Sequence, residues 1–214
     1  NACRENPKEA KSINVDAFQS LMMLALSSEV KRFIFLSSSA AYGNTEAPVT
    51  ETHPLNPTTP YGLYKKACEE VFRLLESERM NCYILRPAGV FGYAPRMRFD
   101  LMVNMMTAHG ALRNEINVAG GEQIRPYVHI RDLMEVINRL LAINIPSTIF
   151  NIVSENEAVI QTAYQVRYIV GKVMNKNVRI NVTKRTDDRS YAVDGKKLKN
   201  TLSFNCRRNI HDGV

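Results

Sequence analysis

Tyr61 and Lys65 stand four positions apart in this chain of 214 residues and could form a proton-transfer pair. At the start of a helix, that spacing places the two side chains on one face, about 6 Å apart along the axis. A tyrosine phenol with its usual pKa of about 10 is a poor base at neutral pH, and a nearby positive charge favours the phenolate. The pair therefore predicts a general acid/base, although a half-buried helical tyrosine is the alternative interpretation of this spacing.

The elements around this pair follow from local sequence patterns. An apolar run predicts a buried strand over 33–36 that leads into three serines, and Ser38 among them could donate a hydrogen bond to a substrate oxygen. Thr59 and Pro60 supply an N-cap candidate followed by a proline, which predicts a helix over 61–78. A strand that ends in polar residues and is followed by a helix is what a doubly wound crevice requires, so this context strengthens the interpretation of the pair.

Strands and helices alternate along the rest of the chain, which is typical of an α/β protein with a parallel sheet covered by helices. Asp132 is predicted to cap a helix that continues to Leu141. The remaining patterns predict strands over 82–85, 116–118, 126–130, 149–153 and 178–182, and helices over 15–28, 99–111 and 162–174. The expected fold is a doubly wound parallel sheet, whose ligand crevice lies at the carboxyl ends of its strands.

Composition and charge narrow the class of protein. No apolar stretch reaches the roughly 18 residues of a membrane span, and residues 1–11 are polar rather than signal-like. Four scattered cysteines without a CxxC pair argue against a zinc knuckle or a disulfide framework and favour a reducing cytoplasm. The net charge of +7 falls within residues 172–214, which carry 11 basic and 4 acidic side chains. Because these cations are dispersed, they argue against nucleic acid and favour either a pocket for a small phosphorylated ligand or a solvated basic face.

Five segments resemble, in order, the motifs of the extended short-chain dehydrogenase/reductase family, the NAD-dependent epimerase/dehydratase group that includes UDP-glucose 4-epimerases. The segments are INVDAFQSLMMLA, SSSAAYG, LRPAGVFG, GGEQIRPYVHIRDL and DDRSYAVDGKKLKNTLSF. They extend over nearly the whole chain. The resemblance implies a Rossmann-like fold with a smaller C-terminal α/β substrate lobe. On the family's plan, residues 1–92 and about 125–155 would form a partial dinucleotide-binding domain, and about 93–124 and 156–214 the substrate lobe.

The resemblance also implies roles for single residues at the reacting centre. Tyr61 matches the family's catalytic tyrosine, and Lys65 matches the lysine that lowers its pKa and binds the nicotinamide ribose. Ser38 matches the catalytic serine or threonine, so these three residues are expected to contact both substrate and cofactor. Asn14 matches an asparagine near the cofactor, and Ala88 matches a loop position beside the nicotinamide.

Arginines are the implied contacts of the nucleotide part of the substrate. Arg125 and Arg189 match family arginines that bind the nucleotide diphosphate, a role suited to a planar guanidinium. Arg98 and Arg185 are further candidates, for which a solvated surface arginine is the alternative. Arg189 lies in the basic segment 172–214, so part of the excess positive charge of that segment would serve to bind the diphosphate.

Two departures from the family pattern limit what the resemblance implies. Family dehydratases carry an Asp-Glu pair directly after the catalytic Ser/Thr, whereas here the positions are Ser39 and Ala40, so dehydration is disfavoured. The G-x-x-G-x-x-G turn that holds the cofactor pyrophosphate is absent from the chain. We therefore expect that the family's first strands precede Asn1 and that the chain is a fragment or the ordered part of something longer.

The expected function is an NAD(P)-dependent nucleotide-sugar epimerase or a related sugar 4-ketoreductase. NAD is the expected cofactor, and NADP is not excluded because the discriminating residue would lie in a missing strand. By analogy with the family, helices 15–28 and 61–78 would form a homodimer through a four-helix bundle. The alternative is a non-catalytic, dinucleotide-fold binding or scaffold protein that retains the motifs. Residues discounted for chemistry are two tyrosines, interpreted as packed aromatics, and the histidines: Tyr42, Tyr64, His53, His109, His129 and His211.

Overall fold

The computed structural model describes residues 2–75, 80–184 and 189–214. The strands are β1 (Arg32–Leu36), β2 (Asn81–Pro87), β3 (Gly89–Phe91), β4 (Glu115–Ala119), β5 (Ile124–His129), β6 (Thr148–Ile152), β7 (Glu155–Ala158) and β8 (Arg179–Thr183). The α-helices are α1 (Ala2–Glu5), α2 (Pro7–Lys11), α3 (Ala17–Ser27), α4 (Pro60–Leu74), α5 (Met102–Arg113), α6 (Ile130–Ala142), α7 (Val159–Met174), α8 (Lys196–Leu202) and α9 (Ile210–Gly213). A π-helical turn, Ser12–Asp16, leads into α3, and a 3₁₀ turn, Ser39–Ala41, follows β1.

The first sheet is parallel, with β2 between β1 and β6. Its central strand is buried from Cys82 to Pro87, because helices cover both faces. Ile84 belongs to a cluster with side chains of α3 and α4, whereas Leu85 belongs to a cluster with α6 and α8. The alternation along β2 thus points successive side chains into two cores, which is the layering expected of a doubly wound sheet.

Two smaller sheets complete the described part of the chain. In one, β5 runs parallel to β3 and antiparallel to β7, and in the other β4 and β8 pair in parallel. A separate apolar cluster joins these strands to α5 and α7, with Val118 and Val166 among its fully buried members. The segment of α8 packs instead on β6, where Leu198 and Leu202 join the core of the first sheet.

The predicted α/β order is confirmed, and several local predictions are refined. Thr59 caps α4 as predicted, by accepting a hydrogen bond from the Gly62 amide at 3.1 Å. The prediction that Asp132 caps the helix that continues to Leu141, which is α6, is wrong. That helix begins earlier, and its cap is His129, whose Nδ1 accepts the Arg131 amide at 3.1 Å. Strands β3 and β7 are not among the predicted strands, because three or four residues give too short a pattern to identify.

Among the described residues, the helices are all too short or too polar to cross a membrane.

Candidate active site

Ser38 lies just beyond the carboxyl end of β1, where it caps the 3₁₀ turn. Its backbone is extended, with φ of −161° and ψ of 145°, and its hydroxyl accepts a hydrogen bond from the Ala40 amide at 3.2 Å. The neighbouring serines, Ser37 and Ser39, are only 2% and 1% exposed, whereas Ser38 is half-buried. Ser38 is therefore the most accessible of the three serines.

Tyr61 lies in the first turn of α4, which packs closely on the turn that follows Ser38. A Cβ atom on the next residue, Gly62, would lie 2.6 Å from the Ala40 carbonyl oxygen and 2.8 Å from Cβ of Pro57. Only glycine therefore allows the helix to approach this closely. The approach brings the Tyr61 side chain, in a residue that is 37% exposed, close enough to Ser38 for that side chain to influence the pKa of the phenol.

Lys65 lies one helical turn beyond Tyr61 and points back to the end of β1. Its ammonium donates a hydrogen bond to the Leu36 carbonyl at 2.8 Å. The same nitrogen lies 4.8 Å from the centroid of the Phe35 ring and 5.6 Å from that of the Tyr61 ring. The structure therefore brings Ser38, Tyr61 and Lys65 together at the carboxyl end of β1, as the sequence predicts.

The electrostatics of the pair differ from the sequence-based expectation. Burial raises the pKa of Tyr61 above its usual value of 10.0, and the groups that oppose this are the Ser38 hydrogen bond and the charge of Arg98. Burial lowers the pKa of Lys65, an effect that the Glu69 carboxylate partly offsets. The phenol is thus protonated at neutral pH in the chain by itself. Lys65 is not among the groups that lower the pKa of the phenol, so the predicted lowering by Lys65 is not found in the chain by itself.

A buried polar network lies directly behind this site and was missed by sequence reasoning. Arg86, at the end of β2, forms an ion pair with Glu69 of α4 at 2.6 Å, and its guanidinium also donates to the Tyr42 hydroxyl at 2.7 Å. Tyr42 is therefore more than the packed aromatic that its sequence context suggested. A signal was present, because an arginine within an apolar strand run requires a buried partner, and Glu69 stands one turn beyond Lys65.

The structure brings two of the four candidate substrate arginines together. Arg125 on β5 is 8% exposed, and its guanidinium donates a hydrogen bond to the Arg189 carbonyl. Arg98 lies in the loop after β3, paired with Asp100, and its charge acts on the Tyr61 phenol. Arg185 lies outside the described residues.

The two remaining cofactor candidates occupy structured positions near the same elements. Asn14 lies in the π-helical turn, where its side-chain amide donates to the Ala10 carbonyl at 2.8 Å. Its own carbonyl accepts a hydrogen bond from the Cys68 thiol of α4 at 2.8 Å. Ala88 is 5% exposed, between β2 and β3, and its amide donates to the Ile152 carbonyl at 2.9 Å. Each residue therefore has a clear structural role, and its contact with a cofactor stays a prediction.

No group of three or more His, Cys, Asp or Glu side chains is arranged to hold a metal ion within residues 2–75, 80–184 and 189–214. His129 is 4% exposed and caps α6, and burial lowers its pKa. Its position is explained by helix capping.

Comparison with known proteins identifies the family. Residues 1–152 match the model of the NAD dependent epimerase/dehydratase family, which confirms the resemblance drawn from the motifs. The UDP-glucose 4-epimerase of Dictyostelium discoideum is 30% identical over 142 residues, which cover 56% of this chain and 40% of that protein. The chain spans about half the length, or less, of three curated relatives that it matches.

Solved structures share the fold. The UDP-glucuronic acid 4-epimerase from Bacillus cereus, in complex with UDP-glucuronic acid and NAD, superposes with a TM-score of 0.81 at 22% identity, over 94% of this chain and 64% of that chain. DesIV, a dTDP-glucose 4,6-dehydratase from Streptomyces venezuelae with NAD bound, gives a TM-score of 0.85 at 20% identity, over 99% of this chain and 66% of that chain. At such identities the likeness shows the fold alone, and it confirms the Rossmann-like architecture.

Proposed function

From the premise that the chain belongs to the NAD dependent epimerase/dehydratase family, we propose that it functions as an NAD(P)-dependent nucleotide-sugar epimerase or a related sugar 4-ketoreductase. The observation that carries the proposal is the convergence of Ser38, Tyr61 and Lys65 at the carboxyl end of β1. The Lys65 ammonium is 5.6 Å from the Tyr61 ring, and the Ser38 side chain opposes the rise that burial causes in the pKa of the phenol. These three side chains can hold and move a proton at one substrate oxygen.

NAD is the proposed cofactor, and the donor set fits part of it. The Lys65 ammonium has three donors, of which one is used by the Leu36 carbonyl, so it retains capacity for ribose hydroxyls. Ala88 is included from the family motif, and it lies buried between β2 and β3. When bound, the nicotinamide supplies the acceptance and return of a hydride. We propose Ser38, Asn14, Tyr61, Lys65 and Ala88 as its contacts on this chain.

Tyr61 handles the proton in the proposed reaction. A protonated phenol with a raised pKa donates readily only to a substrate oxygen that gains negative charge, as the oxygen of a keto group does on reduction. In the opposite direction, the phenolate accepts the hydroxyl proton as a sugar carbon is oxidised. The charge of Arg98 favours that phenolate, and Ser38 orients the substrate oxygen by a hydrogen bond.

Dehydration is disfavoured by the residues that follow Ser38. Elimination of water needs an acid and a base beyond the tyrosine, whereas Ser39 and Ala40 supply neither. Ser39 is 1% exposed, and its hydroxyl lies 3.3 Å from the Tyr191 hydroxyl, so it serves to hold the 3₁₀ turn against the C-terminal segment. Epimerisation and carbonyl reduction need only one proton-transfer site, which this arrangement supplies.

The nucleotide-sugar substrate is proposed to bind through arginines from several segments of the chain. Arg125 and Arg189 come together, and Arg98 lies on the Tyr61 side, so a diphosphate held by them would present its sugar toward the phenol. Arg185 is included from the family motif alone. We propose that residues 1–92 and about 125–155 form the part that binds the cofactor. Residues of about 93–124 and 156–214 would form the part that binds the substrate.

The test of the function is Tyr61→Phe in the complete protein, with Tyr64→Phe as the matched control. Tyr64 lies on the same helix, and its hydroxyl donates to the Pro7 carbonyl at 3.0 Å, outside the site. We expect Tyr61→Phe to reduce turnover of UDP-sugars with NAD by about 100-fold or more while nucleotide-sugar binding, measured by calorimetry, is kept. Near-normal turnover in Tyr61→Phe would refute the assignment. Retained binding without turnover in the unmodified protein would favour the scaffold alternative.

A homodimer is proposed through α3 and α4. Leu21 and Leu24 of α3 are 53% and 61% exposed, and Leu63 of α4 is 53% exposed, so apolar side chains remain in solvent on both helices. We expect Leu24→Lys to convert a dimer to a monomer in light scattering after size exclusion. Leu112→Lys is the control, because Leu112 is 81% exposed on α5. A mass unchanged by Leu24→Lys would contradict the proposal.

A cytoplasmic location is proposed from the cysteines. Cys68 and Cys82 are buried, and the described ranges contain no disulfide bond. Cell fractionation with an antibody to the chain would test this.

A further inference from the structure

Five polar side chains form a continuous buried network behind the proposed active site. They are Ser37, Tyr42, Glu69, Arg86 and Asn151, and their residues are between 0% and 2% exposed. A buried ion pair contributes little net stability, because desolvation of two charges offsets most of their attraction. The buried charges of Glu69 and Arg86 are therefore better explained by a role in fixing the relative positions of the elements that they join.

The ion pair at its centre joins a strand to the helix that carries Tyr61 and Lys65. Nε of Arg86 donates to Oε1 of Glu69 at 3.0 Å, and a terminal guanidinium nitrogen donates to Oε2 at 2.6 Å. This two-point contact fixes the rotation as well as the distance of the two groups. Glu69 stands four residues after Lys65, on the same face of α4, so the pair fixes that face relative to the end of β2.

The same carboxylate also fixes the strand end that carries Ser38. Oε1 of Glu69 accepts a hydrogen bond from the Ser37 hydroxyl at 2.5 Å. Ser37 immediately precedes Ser38 and follows Leu36, whose carbonyl accepts the Lys65 ammonium. One buried anion therefore connects the serine and the tyrosine-lysine helix, two groups whose relative position decides whether they reach one substrate oxygen.

Arg86 secures the far side of the Ser38 turn. It donates to the Tyr42 hydroxyl at 2.7 Å, and that hydroxyl donates to Oδ1 of Asn151, also at 2.7 Å. Tyr42 directly follows the 3₁₀ turn that Ser38 caps, and Asn151 is the β6 residue registered opposite Arg86. The turn is thus held at its start through Ser37 and at its end through Tyr42.

We propose that Glu69 and Arg86 are positioning residues of the active site, which hold Ser38 and the Tyr61–Lys65 helix at the spacing that proton transfer requires. The proposal rests on the proposed function of those three residues. Glu69 and Arg86 do not contact substrate. The charge of Glu69 has a second consequence, because it favours the protonated form of Lys65 against burial.

The decisive variant replaces both charges, Glu69→Met with Arg86→Met. Exchange of a buried pair for apolar residues of similar volume is often neutral for folding, whereas a single replacement leaves one buried charge unpaired. The matched control is Lys66→Gln with Glu70→Gln, an exposed pair on the same helix with its charges 4.0 Å apart. We expect the buried double variant to lose about 100-fold in kcat with KM unchanged, and the control to keep both constants.

A second measurement does not depend on turnover. NMR with isotope-labelled tyrosine reports the titration of the Tyr61 phenol in the chain itself, with Tyr61→Phe identifying its signal. In the double variant we expect that titration to shift to higher pH, because the Ser38 hydrogen bond that opposes burial is weakened. Ser37→Ala, which removes one hydrogen bond and leaves the ion pair, covers the case in which the double variant does not fold. It should lower kcat several-fold with KM unchanged in a protein that still folds.

The outcomes separate this proposal from the function on which it rests. A double variant that folds and matches the unmodified protein in kcat and in the Tyr61 titration overturns the positioning role, as does an unaffected Ser37→Ala if the double variant does not fold. If Tyr61→Phe is inactive in the same assay, the function stands while the positioning fails. If Tyr61→Phe is active, the function fails, and the Tyr61 titration still decides whether Glu69 and Arg86 set the geometry.

Discussion

Removal of the Tyr42 hydroxyl should destabilise the protein well beyond what a single surface hydroxyl contributes. The residue is 1% exposed, and its hydroxyl accepts from Arg86 at 2.7 Å and lies 2.7 Å from Oδ1 of Asn151 and 3.1 Å from the Thr50 carbonyl. The phenol has one hydrogen, which the nearer acceptor, Asn151, receives. Tyr42→Phe removes both short bonds and leaves the ring, with the Arg86 guanidinium 4.9 Å from its centroid, in place.

The magnitude follows from what is left unpaired. A hydrogen bond to a charged group contributes about 1.5–3 kcal/mol, and a buried acceptor without a donor costs about 1–3 kcal/mol. Asn151 cannot flip to compensate, because its amide nitrogen already donates to the carbonyls of Val49 and Asp194, at 3.0 and 3.1 Å. Since the two contributions share a network and do not add fully, we expect a loss of about 3 kcal/mol. In a chain of this size that corresponds to a fall in Tm of about 6–12 °C.

Urea denaturation followed by circular dichroism measures this loss, with Tyr168→Phe as the control. Tyr168 is 63% exposed on α7, so its hydroxyl should change the free energy of unfolding by less than about 0.5 kcal/mol. The dependence of that free energy on urea should be the same in all three proteins, which shows that only stability has changed. A loss below about 0.5 kcal/mol in Tyr42→Phe would refute the view that this hydroxyl is a structural centre of the network.

Three further outcomes are expected. Gly62→Ala should lower the free energy of unfolding by about 1–3 kcal/mol and lower kcat, because the added Cβ would lie 2.6 Å from the Ala40 oxygen. The control is Gly110→Ala, whose added Cβ would meet nothing nearer than 3.5 Å. Equal stability of the two variants would count against the close approach of α4. Arg189→Met should raise KM for a nucleotide sugar about ten-fold with kcat unchanged. The control is Arg179→Met, an exposed position on β8, which should leave KM unchanged. An unchanged KM in Arg189→Met would show that Arg189 does not bind the substrate. Burial raises the pKa of the Cys68 thiol from its ordinary 9.0 to about 11, so the contribution of the thiol to stability is complete below pH 9 and is lost as pH rises through 11. Over that pH range, the free energy of unfolding should fall more steeply for the unmodified protein than for Cys68→Ala. Parallel curves for the two proteins would contradict this expectation.

The sequence predicted well those features that local patterns encode. The Thr59 cap and the apolar run of β1 are short-range signals, and both were located correctly. The wrong cap at Asp132 shows the limit of such signals. Its carboxylate instead accepts the backbone amides of Arg207 and Arg208, each at 2.8 Å, and no local pattern could reveal partners from the end of the chain.

The chemistry of the site divides in the same way. The sequence by itself determined the residue types at the reacting centre, Ser38, Tyr61 and Lys65, and the helical spacing that places the last two on one face. Only the tertiary structure decided their electrostatic state, because the pKa of a phenol depends on burial and on charges that distant segments contribute. It also revealed that Glu69 and Arg86, separated along the chain, meet in a buried pair behind the site, since such a contact forms only when α4 packs on β2.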